Sequence, residues 1–174
     1  MPTSKNRPVR PAVPPSPSFD ALDQTHRQVM QTLAELAKLL DHLDARGADG
    51  AARKIAAEIC QFFDDTARPH HVAEEQLVFP SLLSDGDSEL VGHVQRLQQD
   101  HGWLEEDWLE IGPHLRAVAE GYNWYDLDFL RQGLPIFVDL YRDHIALEES
   151  IIYPEARRRH DLQRVAQQGR KAAK

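Results

Sequence analysis

Two stretches of this chain set imidazole and carboxylate groups at one shared spacing. His70-His71-Val72-Ala73-Glu74-Glu75 runs on to Phe79-Pro80, and His144-Ile145-Ala146-Leu147-Glu148-Glu149 runs on to Tyr153-Pro154, so the pattern H-x-x-x-E-E-x-x-x-[FY]-P occurs twice. On a helix, side chains four residues apart lie one above the other on one face. His70 with Glu74, and His144 with Glu148, each present one imidazole and one carboxylate to a common point. Two such faces predict a metal site.

The elements that must position these groups read as amphipathic helices. From a cap at Ser18 or Asp20, the residues Leu22, His26, Val29, Leu33, Leu36, Leu40 and Leu43 follow at steps of four and three, up to Arg46-Gly47. A second helix from near Ala51 carries Ile55, Ile59, Phe62 and Phe63 inward. Spacing by seven then puts Phe63, His70 and Leu77 on one face beside Glu74, with a kink expected at Pro69, which has no N–H to donate. After a turn over 84–88, a third seam runs through Leu90, Val94, Leu97, His101, Leu104, Trp108 and Ile111. Gly112-Pro113 is expected to break or kink that helix, leaving residues 114–118 as a short extension. The fourth helix begins near Tyr125-Asp126 and turns Leu130, Leu134, Phe137, Tyr141, His144 and Ile151 inward, with Glu148 on the same face. His26 and His101 stand in otherwise apolar seams, so both point into the core.

The chain is internally repeated. His26 precedes His70 by 44 residues and His101 precedes His144 by 43. Phe63 and Phe137 each lie seven before the second histidine of their half, and Pro80 and Pro154 each lie ten after it. Two helical hairpins can cover each other's apolar faces, which predicts an all-α, up-down-up-down four-helix bundle over residues 19–156. One histidine from each helix, with Glu74 and Glu148, then meets at its centre. Residues 1–18 are rich in proline and form a disordered tail in this reading. Beyond the basic run at 157–160, residues 161–174 complete a polar C-terminal tail or short exposed helix that starts at 157.

Composition narrows the class. A length of 174 residues suits one domain with its own core. The one cysteine, Cys60, cannot form an internal disulfide and lies in an apolar run, as a small buried residue would in a reducing compartment. A net charge of −8, from 20 basic and 28 acidic residues, disfavours nucleic acid and anionic membrane surfaces as partners. No apolar run has the length of a membrane span, and the N-terminus lacks the apolar middle of a secretory signal, so a cytoplasmic location is expected.

Four buried imidazoles and two buried carboxylates all need partners, and a polyvalent cation satisfies the set together. Without a nearby cysteine, an iron–sulfur cluster or thiolate zinc site is disfavoured, and a haem between two histidines would leave both glutamates unused. Two irons, each with two histidines and sharing both glutamates, use every residue and leave positions for a small ligand. Zinc and manganese stay open. Of the other histidines, His42, His71, His93 and His114 are expected at the surface, and Glu105 likewise. Glu75 and Glu149 are expected just behind the ligating residues or in solvent. Asp65 and Asp139 are candidates to orient ligating histidines, and Tyr141 to bring a hydroxyl near the open positions.

From Phe19 to Pro154 the sequence resembles hemerythrin-like proteins of the HHE cation-binding group, on the paired H-x-x-x-E-E motifs and the histidine on each preceding helix. The resemblance implies a four-helix bundle around a non-haem di-iron centre. By that likeness Glu74 and Glu148 bridge the irons, His26 and His70 hold one, and His101 and His144 the other. Oxygen-carrying members have a further histidine where Leu97 stands here and a final aspartate where Glu149 stands. The symmetric set is closer to di-iron proteins that repair nitrosative or oxidative damage to iron centres. Binding or sensing of oxygen or nitric oxide is the leading expectation. Iron-centre repair or redox defence is one alternative, and a helical interaction module with a structural metal is another.

Overall fold

The computed structural model describes residues 18–85 and 87–172; the proline-rich tail lies, apart from Ser18, outside them. Among the described residues the chain is helical throughout, with no strand. Its elements are α1 (Phe19–Arg46), α2 (Gly50–Phe62), a π-turn (Phe63–Ala67), α3 (Arg68–Leu77), α4 (Phe79–Asp85), α5 (Ser88–Glu120), α6 (Leu127–Leu147), a second π-turn (Glu148–Ile152) and α7 (Tyr153–Ala172). They make four rods, because α2 to α4 run on as one and α6 continues into α7. α1 packs on α2 and α6, and α5 packs on the same two, which closes the bundle.

Short polar connections set the antiparallel order. Asp49 accepts from the N–H groups of Ala51 and Ala52 to start α2, Asp87 from Leu90 to start α5, and Asp126 from Phe129 to start α6. α5 ends at Gly121, whose φ of 78° is left-handed; a Cβ there would also meet the Arg53 guanidinium at 2.7 Å.

The seams fall close to their expected positions, with instructive shifts. α1 buries Leu39 where Leu40 was expected, and α2 turns Ala52, Ala56 and Ile59 inward while Ile55 and Phe62 are only half-buried. α5 runs straight through Gly112-Pro113 with no break. Pro113 and Leu109 both face outward, so water can take the carbonyl that the missing N–H leaves free. Beyond Pro154 the chain forms the 20-residue helix α7, longer than the short helix or tail expected.

The largest correction comes from the π-turns. Each ends two residues before a proline, Pro69 or Pro154, where the helical ladder must lose a donor in any case. A π-turn adds one residue to a helix, so the sequence positions that face the core beyond it move on by one. The inward residues after the first π-turn are His71, Glu74 and Val78, flanked by His70, while Leu77 is half-buried. After the second, Ile152 is fully buried and the expected Ile151 is 38 % exposed.

Two apolar clusters fill the bundle. One contains Val29, Leu33, Leu36, Leu104, Phe137 and Tyr141; the other contains Leu22, Val78, Phe79, Val94, Leu97 and Tyr153. Along α1 and α5 the changeover from one to the other falls at His26 and at His101, so a polar layer lies between two dry ones. Leu36 is fully buried in the larger cluster. Leu36→Ala is expected to lower stability by about 2–5 kcal/mol, read from urea unfolding at unchanged slope.

Candidate metal centre

The six residues marked by the repeat converge in that polar layer. His26 comes from α1, His70 and Glu74 from α3, His101 from α5, His144 from α6 and Glu148 from the second π-turn. All six are buried, both glutamates completely. Glu74 lies between two imidazole pairs. Its Oε1 is 3.3 Å from His70 Nε2 and 3.7 Å from His26 Nε2, and its Oε2 is 3.4 Å from His101 Nε2. Glu148 Oε2 is 3.1 Å from His26 Nε2 and 3.3 Å from His144 Nε2. Two groups of potential metal donors result, His26, His70, Glu74 and Glu148 on one side and Glu74, His101, His144 and Glu148 on the other. Within each group the donor atoms lie within 4.8 Å of one another, and both glutamates belong to both.

The chemistry of this set fits a cation. Glu74 Oε2, His101 Nε2, His144 Nε2 and both carboxylate oxygens of Glu148 are buried with no hydrogen-bond partner. Buried carboxylates without partners are strongly unfavourable, and a cation among them completes their coordination. Imidazole and carboxylate together suit iron, zinc or manganese. Cys60 takes no part: it lies buried in the larger apolar cluster, and burial pushes its thiol up to about 11.

Carboxylates behind the imidazoles orient them. His26 Nδ1 is 3.2 Å from Glu149 Oε1 and His101 Nδ1 is 2.8 Å from Glu75 Oε1, so the second glutamate of each motif serves the histidine of the other hairpin. His144 Nδ1 is 3.7 Å from Oδ2 of Asp100, which is itself buried. The aspartates expected in this role, Asp65 and Asp139, are both exposed, and Asp139 lies 3.8 Å from Arg142. Both sit on outward phases of their rods.

Three residues at the site were not anticipated. Tyr153 stacks on His26 at a ring separation of 5.0 Å, donates its hydroxyl to Glu74, and has its oxygen 3.1 Å from His26 Nε2. The aromatic before Pro154 in the repeat was its only sequence signal. Asp100 carried none beyond adjacency to His101. His71, expected at the surface, is buried and stacks on His101 at 4.1 Å, a consequence of the π-turn shift. Tyr141 directs its hydroxyl to His71 Nε2, at 3.5 Å. His42, His93 and His114 stay at the half-buried surface, where His42 meets Asp49 at 2.8 Å and His114 accepts from the Asp126 N–H.

Burial opposes charge on His26, but Glu148 and Glu74 outweigh it and raise the imidazole to about 10. For His144 burial is likewise overcome, by Glu148 and Asp100, and the value rises to about 9. Burial dominates at His71, pushing it down to about 2, and it also lowers His70. Burial works against ionisation of Glu74, yet the facing imidazoles of His101, His26 and His70 hold it well below the usual carboxylate range. Both tyrosines are driven upward, first by burial and then by the two glutamates.

In metal-free protein the raised values of His26 and His144 give a definite sign. Their contribution to stability is complete below the unfolded value of 6.5 and is lost as pH rises through about 9 and about 10. His70 and His71, lowered in the folded protein, give a slope of the opposite sign that fades within about one pH unit above 6.5. The urea midpoint of chelator-treated protein is therefore expected to fall between about pH 7 and about pH 10. A flat or rising midpoint would contradict these charge states.

The sequence profile of the hemerythrin HHE cation binding domain matches residues 18–156. No curated protein and no solved structure matches the chain.

Proposed function

We infer that this chain, which belongs to the hemerythrin HHE cation-binding family, holds two iron ions between its hairpins and binds or senses oxygen or nitric oxide there. Residues 19–156 form the unit that carries the centre. His26 and His70 would hold one ion and His101 and His144 the other, with Glu74 and Glu148 shared. The observation that carries this reading is Glu74, whose two oxygens face imidazoles of opposite pairs. When bound, two irons supply open positions for a diatomic ligand and electrons to reduce it.

The residues of the chain do the rest. Glu149 and Glu75 fix the ring orientations of His26 and His101 from behind, and Asp100 sets a carboxylate beside His144. Apolar layers above and below keep bulk water from the polar one. Tyr153 offers a hydroxyl beside Glu74 and His26, and it also lines a cleft of about 390 Å³ with Asp23, Arg27, Glu149, Pro154 and Arg157. That cleft is the natural approach for a small ligand. Its phenol favours a second reading, repair of iron centres or defence against redox stress, because a proton source beside the centre suits turnover as well as binding.

Glu74→Ala combined with Glu148→Ala is expected to abolish iron uptake while circular dichroism still shows a helical fold; unchanged iron content would overturn the reading. The optical spectrum of iron-loaded, reduced protein on exposure to air separates the two functions. A charge-transfer band that disappears when oxygen is removed supports reversible binding. Irreversible oxidation to the ferric form supports the redox alternative.

A further inference from the structure

The net charge of −8 hides a division within the chain. Residues 157–174 hold seven Lys and Arg against one Asp, whereas residues 19–156 hold ten against 27 Asp and Glu. The basic part is the outer portion of α7. Leu162, Val165, Ala166 and Gly169 stand there at i, i+3, i+4 and i+7, so they share one face, and Gln163, Arg164, Gln167, Gln168 and Arg170 take the others. Every residue from 161 to 170 is exposed, with Leu162 at 57 % and Val165 at 63 %. A helical arm this short has little stability of its own in water, and Gly169 weakens it further. Nothing in its own chain approaches Gly169: a Cβ there would meet open space. The apolar stripe therefore has no cover within its own molecule.

A face of opposite character lies on α5. Trp103, Glu106, Leu109, Glu110 and Pro113 point outward together, with Leu109 75 % exposed and Trp103 47 %. Glu105 meets Arg68 at 3.9 Å, but Glu106, Asp107 and Glu110 form no ion pair among the described residues. Burial, then Glu110 and Glu106, hold the Asp107 carboxyl above its ordinary range. α7 does not cover this face on its own molecule. It packs on α4 beside the start of α5 and runs on antiparallel to α5, away from Trp103, which lies about 22 Å along that helix from Ser88.

We propose that the exposed portion of α7 docks on the outward face of α5 in a second copy of this chain, and that two copies exchange these helices reciprocally. Leu162 and Val165 cover Leu109 and Trp103, and Arg164 and Arg170 meet Glu106 and Glu110. Opposite charge favours this occupant, because two basic arms repel each other and an anionic surface repels the acidic bundle. Reciprocal exchange makes the contact twice, which brings a helix-sized patch toward the ~1,200 Å² of total area that stable interfaces bury.

Sedimentation velocity of the full-length chain tests the exchange. A concentration-dependent dimer is expected in low salt, weakened about tenfold or more in about 0.5 M sodium chloride. Leu162→Asp and Leu109→Asp, both at exposed positions, should each weaken dimerisation by about tenfold or more while circular dichroism keeps its helical signal. Glu106→Arg with Glu110→Arg should weaken it too, and adding Arg164→Glu with Arg170→Glu should restore it. A monomer at about 1 mM would overturn the proposal. So would a dimer indifferent to Leu109→Asp, or assemblies that keep growing with concentration. Iron content enters none of these readouts, so the outcome is independent of the metal centre.

Discussion

Two glutamates buried to zero exposure at the middle of an apolar bundle are the constraint on which the rest of this structure depends. A carboxylate taken out of water and left unpaired is strongly unfavourable, and one per hairpin would destabilise the fold severely. Every nearby feature answers that demand. Four imidazoles converge on the pair, three of them backed by a further acidic residue, and a tyrosine hydroxyl donates to Glu74. Without metal, protonated His26 and His144 partly neutralise the layer; with metal, those protons must leave. Metal bound among these six side chains would couple its binding to folding.

Near two-fold symmetry organises the layer, and departures from it set the chemistry. Glu75 reaches His101 and Glu149 reaches His26, so each hairpin orients a histidine of the other. Phe79 stacks on His101 as Tyr153 stacks on His26, but only Tyr153 carries a hydroxyl. His71 and Ile145 break the symmetry in the opposite sense. One side of the layer gains a phenol and the other an imidazole.

Much of this was legible in the sequence because the relevant signals are periodic. Steps of four and three placed His26 and His101 among core leucines, and the H-x-x-x-E spacing joined each carboxylate to its imidazole through ordinary helical geometry. The π-turns were not legible. Their effect is a one-residue change of phase, and periodicity read through them assigned Leu77 and Ile151 to the core while sending His71 to solvent. Pro69 marked the place of the first disturbance but not its form. Asp100 and the orienting roles of Glu75 and Glu149 depend on contacts between hairpins, which no spacing within one helix encodes. Pro113 misled for a complementary reason: on an outward face the lost hydrogen bond goes to water, and the helix continues.

The most direct test of a shared centre is anomalous diffraction from crystals of the iron-loaded protein at the iron edge. Two peaks are expected, one on each side of Glu74 and Glu148, with both carboxylates contacting both. A single peak, or iron lying away from the two glutamates, would contradict the centre proposed here.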